Sequence, residues 1–279
     1  YLNLMKLIFK ADDHSYTSDD DPGRKWTSVT TLIHHFKEPF DQLKIAGFCS
    51  RKKTSKWFEM EPEKIVEYWN KESERANMLG TWYHDQREKD VSSCETIRRE
   101  GVDLPIFKPL FENNVKVAPD QALVPGIYPE HFMYLKSAGI CGQADRIEIV
   151  GDVVNVYDYK TNKKIETEGY TNWEGITKKM LHPLEHLDDC NLIHYTLQLS
   201  FYMYMILKHN PNLKPGKLTL QHIIFAVEDE DEFGFPINEV DIAGDPVIKD
   251  IVLYEVPYLK NDIATLLNYI KTNPNILNK

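Results

Sequence analysis

The stretch from Gly139 to Lys164, GICGQADRIEIVGDVVNVYDYKTNKK, decides the fold of this chain. Apolar and polar residues alternate on both sides of the dipeptide Gly151-Asp152. This pattern predicts two antiparallel strands, residues 143–150 and 153–159, joined by a tight turn. We take this hairpin as the centre of the predicted sheet.

Three charged side chains lie at one end of the predicted hairpin. Pairing across the turn brings Asp145 close to Asp158, and the two-residue period of a strand puts Asp158 and Lys160 on one face. Two carboxylates suit a hard divalent cation such as Mg²⁺, which binds oxygen ligands and keeps several waters. The alternative is an exposed ion pair between Asp158 and Lys160, worth about 0.2–1 kcal/mol and common on sheets.

Further polar residues with helical spacing flank the hairpin. Residues 191–208 have the pattern of a helix, on which Gln198 and Tyr202 are four apart and therefore share a face. Upstream, the segment GTWYH places Gly80 and His84 four residues apart on another helical segment. These residues and the hairpin carboxylates form an ordered series along the chain.

That series resembles the PD-(D/E)XK nuclease superfamily. The order His84, Asp145, Asp158-x-Lys160, Gln198-x-x-x-Tyr202 is similar to its RecB-like branch, which includes phage exonucleases, over roughly residues 80–228. The resemblance implies an α/β fold with a restriction-endonuclease-like core, in which helices flank a mixed central sheet. It also implies metal-dependent hydrolysis of phosphodiester bonds that leaves a 5′-phosphate and a 3′-hydroxyl.

The resemblance also assigns roles to residues. The catalytic set is Lys160, Asp145, Asp158, Gln198 and Tyr202, and the metal set is Asp145, Asp158, Glu130, His84 and the carbonyl of Tyr159. Lys160 would orient or help to deprotonate the attacking water. Three alternatives stay open: His84 as the partner of a neighbouring carboxylate, Glu130 as an exposed strand residue, and Tyr202 as a packing residue.

We expect two regions along the chain. Residues 1–110 form an N-terminal hairpin and helical subdomain that contributes His84, and residues 111–279 form the nuclease core. The first region has strands at 7–9 and 15–17, a helix capped by Ser28 or Thr30 that runs to about 36, and helices at 41–52 and 62–93 with a break at Gly80. Its aromatic residues either stack on single-stranded bases or, more often at this spacing, belong to the core: Trp57, Trp69, Trp82 and Tyr83.

The core region continues the pattern after residue 110. We expect a strand between 115 and 136, an irregular segment at 165–189 that covers the DNA, strands at 218–227 and 251–256, and a helix at 257–272. The irregular segment also contains residues that suggest a zinc site, namely His182, His186 and Cys190, with His194 as the candidate fourth ligand. We do not favour zinc, because Pro183 disrupts the helical turn that such spacing requires.

The net charge of −10 does not exclude a nucleic-acid substrate. Affinity for nucleic acid comes from local neutralisation of phosphates, and charges interact over only about 8 Å at physiological salt. A basic groove can therefore exist on an acidic protein. Its candidate DNA-binding residues are Lys163, Lys164, Lys178 and Lys179.

Composition and missing motifs narrow the cofactors and partners. The four cysteines, at 49, 94, 141 and 190, include no C-x-x-C pair, and none follows Cys190, so we expect no iron–sulfur cluster. No GxxxxGK[ST] sequence is present, so we expect no ATP site, and any ATP dependence would come from a helicase, recombinase or single-strand-binding partner. There is no long apolar run, so we expect no membrane association and a cytoplasmic, bacterial or phage-encoded protein. The chain begins with Tyr1 rather than methionine, and we expect its native start to lie upstream.

The sequence thus predicts a Mg²⁺- or Mn²⁺-dependent deoxyribonuclease. The preferred form is an exonuclease that acts on free or single-stranded DNA ends. A structure-selective endonuclease, and a module on a nuclease fold that binds nucleic acid or protein without cleavage, are the alternatives.

Overall fold

The computed structural model describes residues 5–10 and 15–278. The strands are β1 (Leu7–Lys10), β2 (Ser15–Ser18), β3 (Thr27–Ser28), β4 (Thr96–Arg99), β5 (Val102–Pro105), β6 (Leu110–Glu112), β7 (Val115–Val117), β8 (Gly126–Leu135), β9 (Ile140–Val150), β10 (Val153–Lys160), β11 (Lys214–Phe225), β12 (Val227–Glu230), β13 (Pro236–Asn238) and β14 (Ile248–Val256). The helices are α1 (Val29–His34), α2 (Gln42–Arg51), α3 (Pro62–Ser92), α4 (Asn191–His209) and α5 (Lys260–Thr272). Short 3₁₀ turns follow β8, at Lys136–Ala138, and α5, at Pro274–Asn278.

The main sheet has six strands and mixed directions. The strand order is β14-β11-β10-β9. Strand β8 pairs with one edge of β9, and the other edge of β9 pairs with β10 over residues 146–150 and with β3 at residues 140 and 141. The pairs β10–β11 and β3–β9 are parallel and the others are antiparallel. A parallel pair needs a crossover between its strands, and α4 supplies it between β10 and β11. The predicted hairpin and the predicted fold class, a mixed sheet flanked by helices, are therefore confirmed.

The main hydrophobic core lies between this sheet and α4. Helix α4 is apolar around most of its circumference, and Leu197, Leu199 and Met203 have no exposed surface. A helix of this kind must be covered on several sides. Helices α1 and α5 and the inward-facing residues of β9, β10 and β11 cover it.

The N-terminal region forms a second small sheet, ordered β2-β1-β7-β6. The predicted hairpin of residues 7–9 and 15–17 is confirmed, although its connection lies outside the described residues. Ser28 caps α1 as predicted, because its side chain accepts a hydrogen bond from the backbone N–H of Thr31. The helix ends at His34, slightly before the predicted end.

The predicted break at Gly80 is wrong, because α3 runs without interruption from Pro62 to Ser92. Glycine in a helix costs about 1 kcal/mol relative to alanine, so a reason for its presence is expected. A Cβ atom at Gly80 would lie 3.2 Å from the hydroxyl oxygen of Thr161, just after β10. Gly80 therefore allows α3 to approach the end of the hairpin closely.

The aromatic residues of the helical region belong to core clusters, as the more common alternative predicted: Trp57 and Tyr83 are buried, and Trp69 and Trp82 pack against them partly buried. Trp57 is 5 % exposed and its ring stacks on Phe233, with centroids 4.9 Å apart and an interplanar angle of 13°. Tyr83, which is also buried, packs on Tyr159 of β10. Phe233 lies in the turn of the β12–β13 hairpin, which the sequence pattern did not predict.

The remaining predictions hold with shifted bounds. Strand β11 begins and ends earlier than the predicted 218–227, β14 begins before the predicted 251, and α5 begins three residues after the predicted 257. Residues 165–189 contain isolated bridges but no helix or strand, as predicted. The hairpins β4–β5 and β6–β7 were not predicted.

The division of the chain at residue 110 stays a prediction. In the part of the chain that the structure describes, no helix has the length and apolarity needed to cross a membrane.

Candidate active site

The site begins where β9 and β10 part. Their last pair is Tyr157 with Arg146, so Asp158 and Asp145 follow at the point of separation. The backbone N–H of Tyr159 still reaches back to donate a 2.5 Å hydrogen bond to Oδ2 of Asp145. Further along β9, strand β3 takes up the same edge at Ile140 and Cys141, which leaves a gap in the sheet between β10 and β3.

The pairing of β8 with β9 is also interrupted at this level, between Pro129–Arg146 and His131–Ala144. Glu130 lies at the interruption, opposite Asp145, with φ of 48° in the left-handed region. Such a backbone costs about 1–3 kcal/mol for a residue other than glycine, and strained residues of this kind cluster at functional sites.

The interruption changes which residues face the main core. The core-facing positions of β8 are Tyr128 before it and Met133 and Leu135 after it, and those of β9 are Ala144 before it and Ile147 after it. In a regular strand, residues that face the same side are an even number of positions apart. Here Tyr128 and Met133 are five apart, and Ala144 and Ile147 are three apart. The pairing register of β8 and β9 is the same on both sides of the interruption, but the inward and outward alternation of side chains shifts by one residue on each strand. This shift turns both carboxylates away from the main core.

Helix α3 brings His84 to these two carboxylates. Its Nδ1 lies 3.4 Å from Oδ1 of Asp145 and 3.7 Å from Oε1 of Glu130. The amide of Gln143 also donates a hydrogen bond to Glu130. Among residues 5–10 and 15–278, the one group of His, Cys, Asp or Glu side chains close enough to hold a metal ion is His84, Glu130 and Asp145, whose ligand atoms lie within 4.8 Å of one another.

Asp158 and Lys160 are beside this group. Asp158 is 1 % exposed, and its Oδ2 lies 2.5 Å from Nζ of Lys160. That contact is an ion pair without hydrogen-bond alignment, and Oδ2 has no other donor among the described residues. The exposed ion pair that the sequence left open is therefore not present, because this pair is buried. Lys160 also lies over the ring of Tyr195, with Nζ 4.8 Å from its centroid.

The charged groups of the site shift one another's pKa values. Burial raises the pKa of Asp158 to about 6, and Asp145 adds to this while Lys160 opposes it. Burial also raises the pKa of Glu130. For Asp145 the effect of burial is outweighed by His84, Lys160 and the N–H of Tyr159, and its pKa is lowered. Burial acts to lower the pKa of His84, but the charges of Asp145 and Glu130 raise it to about 11.

The helix residues Gln198 and Tyr202 lie next to the gap in the sheet. The amide of Gln198 donates a 2.8 Å hydrogen bond to the hydroxyl of Tyr202. Tyr202 is 3 % exposed and its ring packs over Gly142 of β9. Both residues are thus near the site, and their catalytic roles stay predictions.

The side chains open into a cleft of about 620 Å³ between α3 and the sheet. Sequence reasoning missed two of its neighbours. Tyr195 lies three residues before Gln198 on α4, and this helical spacing could have found it. Lys116 of β7 lines the cleft on the side of Glu130, with Nζ 3.9 Å from Oε2 of that residue, and no sequence pattern connects the two.

The predicted DNA-binding lysines lie outside this cluster and each is near a carboxylate. Lys163 lies 3.7 Å from Glu230 and Lys164 lies 3.0 Å from Glu166. In the irregular segment, Lys178 lies 2.8 Å from Asp189, and Lys179 contacts Asp188. Their contact with DNA stays a prediction.

The zinc alternative is not supported by the described side chains. His182 contacts Glu185, His186 contacts Asp262, and His194 contacts Asp189, at 2.6, 2.7 and 2.8 Å. Each histidine thus has a different carboxylate partner. Cys190 is buried as the N-cap residue of α4.

The sequence model of the PD-(D/E)XK nuclease superfamily matches residues 48–276, which include His84, Glu130, Asp145, Asp158 and Lys160. The chain belongs to the PD-(D/E)XK nuclease superfamily. No significant match was found among curated proteins or among solved structures. The predicted superfamily is confirmed, and the RecB-like or phage branch stays a prediction.

The charged residues of the site have the chemistry that a PD-(D/E)XK nuclease requires. Asp158 and Lys160, the predicted motif carboxylate and lysine, lie two residues apart on β10, and Asp145 is on the neighbouring strand β9. The α3 histidine and the β8 glutamate extend this motif into a larger cluster. Carboxylate, imidazole and ammonium groups therefore converge beside a cleft that is open to solvent.

Proposed function

We propose that this chain is a Mg²⁺- or Mn²⁺-dependent deoxyribonuclease that hydrolyses phosphodiester bonds at DNA ends. The observation that carries the proposal is the cluster of His84, Glu130 and Asp145 beside the buried pair of Asp158 and Lys160. Perturbed titratable groups of this kind are concentrated at functional sites. The superfamily match supports a nuclease, and the metal, the DNA preference and the action at ends are our inferences.

The donor atoms of the cluster fit a divalent cation. Glu130, Asp145 and the carbonyl of Tyr159 would supply oxygen, and Nδ1 of His84 would supply nitrogen. Oδ2 of Asp158 is buried without an aligned hydrogen-bond donor, and it would supply a further oxygen ligand to such an ion. Hard oxygen donors suit Mg²⁺ and Mn²⁺, and an imidazole favours the transition metal. When bound, the cation would lower the pKa of a coordinated water and stabilise charge on the phosphoryl oxygens.

The protein side chains would then perform the remaining steps. Lys160 is held between Asp158 and the ring of Tyr195, so its ammonium group is fixed at the edge of the cleft. There it would orient the attacking water and stabilise the negative charge that develops on the phosphate. The water oxygen would form a bond to phosphorus and release a proton to solvent, the bond from phosphorus to the leaving oxygen would break, and the leaving oxygen would take up a proton. Gln198 and Tyr202 would support the strand that carries Asp145.

The preferred substrate is a free or single-stranded DNA end. The cleft lies between helix α3 and the sheet and is not a groove across an open sheet face. Lys163 and Lys164 lie just after the end of β10, which carries Lys160. Exposed lysines of this kind bind phosphates through charge, and their effect weakens as salt rises. We therefore expect Lys163→Ala with Lys164→Ala to weaken DNA binding and to reduce its salt dependence.

The test is digestion of end-labelled single-stranded, blunt duplex and circular DNA in Mg²⁺, Mn²⁺ or EDTA. We expect metal-dependent loss of linear DNA but not of circular DNA, and no cleavage by Lys160→Ala or Asp158→Asn. Lys249→Ala, away from the cluster, is the matched control and should cleave normally. Cleavage of circular DNA would instead indicate an endonuclease. If all three DNA substrates stay intact in both metals, the proposed activity is wrong.

A further inference from the structure

A second cavity adjoins the catalytic cleft on the other side of Glu130. It has a volume of about 450 Å³ and its lining is mostly apolar. Its wall includes Lys116 and Glu130, which also line the cleft. Sites for small molecules have volumes of about 300–1,000 Å³, so the cavity can take a group of nucleoside size.

A fixed aromatic surface forms one wall of this cavity. The rings of Phe107 and Tyr128 are stacked, with centroids 4.7 Å apart and an interplanar angle of 14°. The hydroxyl of Tyr128 donates a 2.7 Å hydrogen bond to the carbonyl of Val124 and accepts one from its N–H, so the ring is held in place. A Cβ atom at Gly126 would lie 2.4 Å from the ring of Phe107, and a glycine is therefore needed to accommodate this stack.

The mouth of the cavity exposes apolar side chains to water. Phe107, Leu110 and Val124 are 38, 43 and 54 % exposed, and all three line the cavity. Single exposed apolar residues are ordinary, but a group of them around a concave surface is typical of a binding site. The chemistry of this surface favours a flat apolar ligand.

Lys116 lies at the boundary between the cavity and the cleft. Its side chain is 11 % exposed, and its closest carboxylate oxygen is 3.9 Å away, on Glu130. That separation is too long for a hydrogen bond, so the ammonium group can still donate to a ligand. A phosphate that reached the cluster from the cleft would lie on the same side as this lysine.

We propose that this cavity binds one unpaired nucleobase of the substrate strand, at the nucleotide next to the cleaved phosphate, and that Lys116 contacts the phosphate attached to it. The inference rests on the proposed function and adds to it a requirement for single-stranded substrate at that nucleotide. A base in a duplex cannot enter, because its faces and edges are already occupied by stacking and pairing. Bases stack on aromatic side chains with little sequence preference, so the site would accept all bases.

The first experiment measures binding without cleavage. Fluorescence anisotropy in Ca²⁺ measures the affinity for two single-stranded DNA decamers. One is an ordinary ten-nucleotide strand, and the other is an abasic strand of equal length, in which hydrogen replaces every base. We expect the wild-type protein to bind the intact strand about tenfold more tightly or better, within the range that base stacking gives. Phe107→Ala, which removes the stacking ring, and Val124→Glu, which places a charge at the mouth, should each reduce this ratio toward one. Val102→Glu, exposed on β5 and outside the lining, should keep the wild-type ratio.

The second experiment locates the nucleotide. In Mn²⁺, oligonucleotides with one missing base at successive positions should show a fall in kcat/KM at a single position next to the cleaved bond, mainly through KM. Lys116→Gln should lower the salt dependence of binding without changing the ratio for missing bases. Equal affinity of the wild-type protein for the two ten-residue strands would overturn the inference. Loss of all cleavage with a retained affinity ratio would overturn the proposed function and leave the base site standing.

Discussion

The ring of Tyr202 lies directly over Gly142, at the gap in the main sheet between β10 and β3. A Cβ atom on residue 142 would stand 2.6 Å from Cε1 of that ring. Tyr202 is buried and its hydroxyl accepts a hydrogen bond from Gln198, so the ring has little space into which it can move. This contact fixes α4 against the strand that carries Asp145.

Replacement of Gly142 by alanine should therefore destabilise the protein. We expect the free energy of unfolding to fall by about 1–3 kcal/mol, the usual cost of overpacking a core. Urea denaturation measures this change. Gly47→Ala in α2 is the control, because its new Cβ would have no atom closer than 3.7 Å, and a helical Gly→Ala change should stabilise by about 0.4–1 kcal/mol. Equal stability of Gly142→Ala and wild type would contradict the contact.

Much of the motif geometry follows from sequence spacing. Strand alternation and a two-residue turn are enough to place Asp145 near Asp158, and to put Asp158 and Lys160 on one face. Helical spacing correctly puts Gln198 and Tyr202 in contact. These relationships are local, so the sequence determines them without knowledge of the rest of the fold.

The rest of the site depends on tertiary structure. The left-handed backbone of Glu130 has no signal in the sequence, because a glutamate rarely adopts it. The break predicted at Gly80 was wrong because propensity describes an isolated helix, whereas α3 uses this glycine to approach Thr161. Lys116 reaches Glu130 through the pairing of β7 with the N-terminal hairpin, and contacts of this kind are invisible to local patterns.

Replacement of Lys160 by methionine should make stability depend on metal. The change leaves the buried carboxylate of Asp158 without its cation, and removal of one partner of a buried pair costs about 3–5 kcal/mol. In Mn²⁺ we expect much of this loss to be recovered, because a bound cation would compensate the same charge. Urea denaturation in EDTA and in Mn²⁺ tests the prediction.

The matched control for that experiment is Lys163→Met. Lys163 is exposed and lies 3.7 Å from the exposed Glu230, so its loss should cost at most about 1 kcal/mol. If the loss from Lys160→Met is the same in EDTA and in Mn²⁺, no cation binds next to Asp158.

Replacement of His84 by glutamine should change the preference between metals. An imidazole ligand favours Mn²⁺ over Mg²⁺, and Nδ1 of His84 is the nitrogen that faces the carboxylates of Asp145 and Glu130. We expect Mn²⁺ affinity to fall about tenfold or more, equal to about 1.4 kcal/mol of binding free energy, and Mg²⁺ affinity to fall less. Thermal-shift titrations with each metal measure both. Asp85 lines the cleft outside the cluster, so Asp85→Asn is the control and should change neither metal affinity. If His84→Gln binds Mn²⁺ as tightly as the wild-type protein, His84 is not a metal ligand.

Glu148 is a buried acid of β9 that the structure separates from the metal cluster. Its carboxylate lies 3.0 Å from Nη2 of Arg99 and 3.2 Å from Nε of Arg146, and accepts a hydrogen bond from the hydroxyl of Tyr157. Glu148→Gln would leave both guanidinium groups without their anion, so we expect a loss of about 3–5 kcal/mol in unfolding free energy. Metal affinity should stay at the wild-type value, because this side chain is outside the cluster.

The control for Glu148 is an acid whose ion pair is exposed. Glu112 lies 2.8 Å from Lys6, with both side chains about half exposed, and Glu112→Gln should cost at most about 1 kcal/mol. Urea denaturation and Mn²⁺ titration of the two variants separate stability from metal binding. If Glu148→Gln were as stable as wild type but bound Mn²⁺ weakly, the structural role of Glu148 would be wrong and the metal cluster would extend along β9.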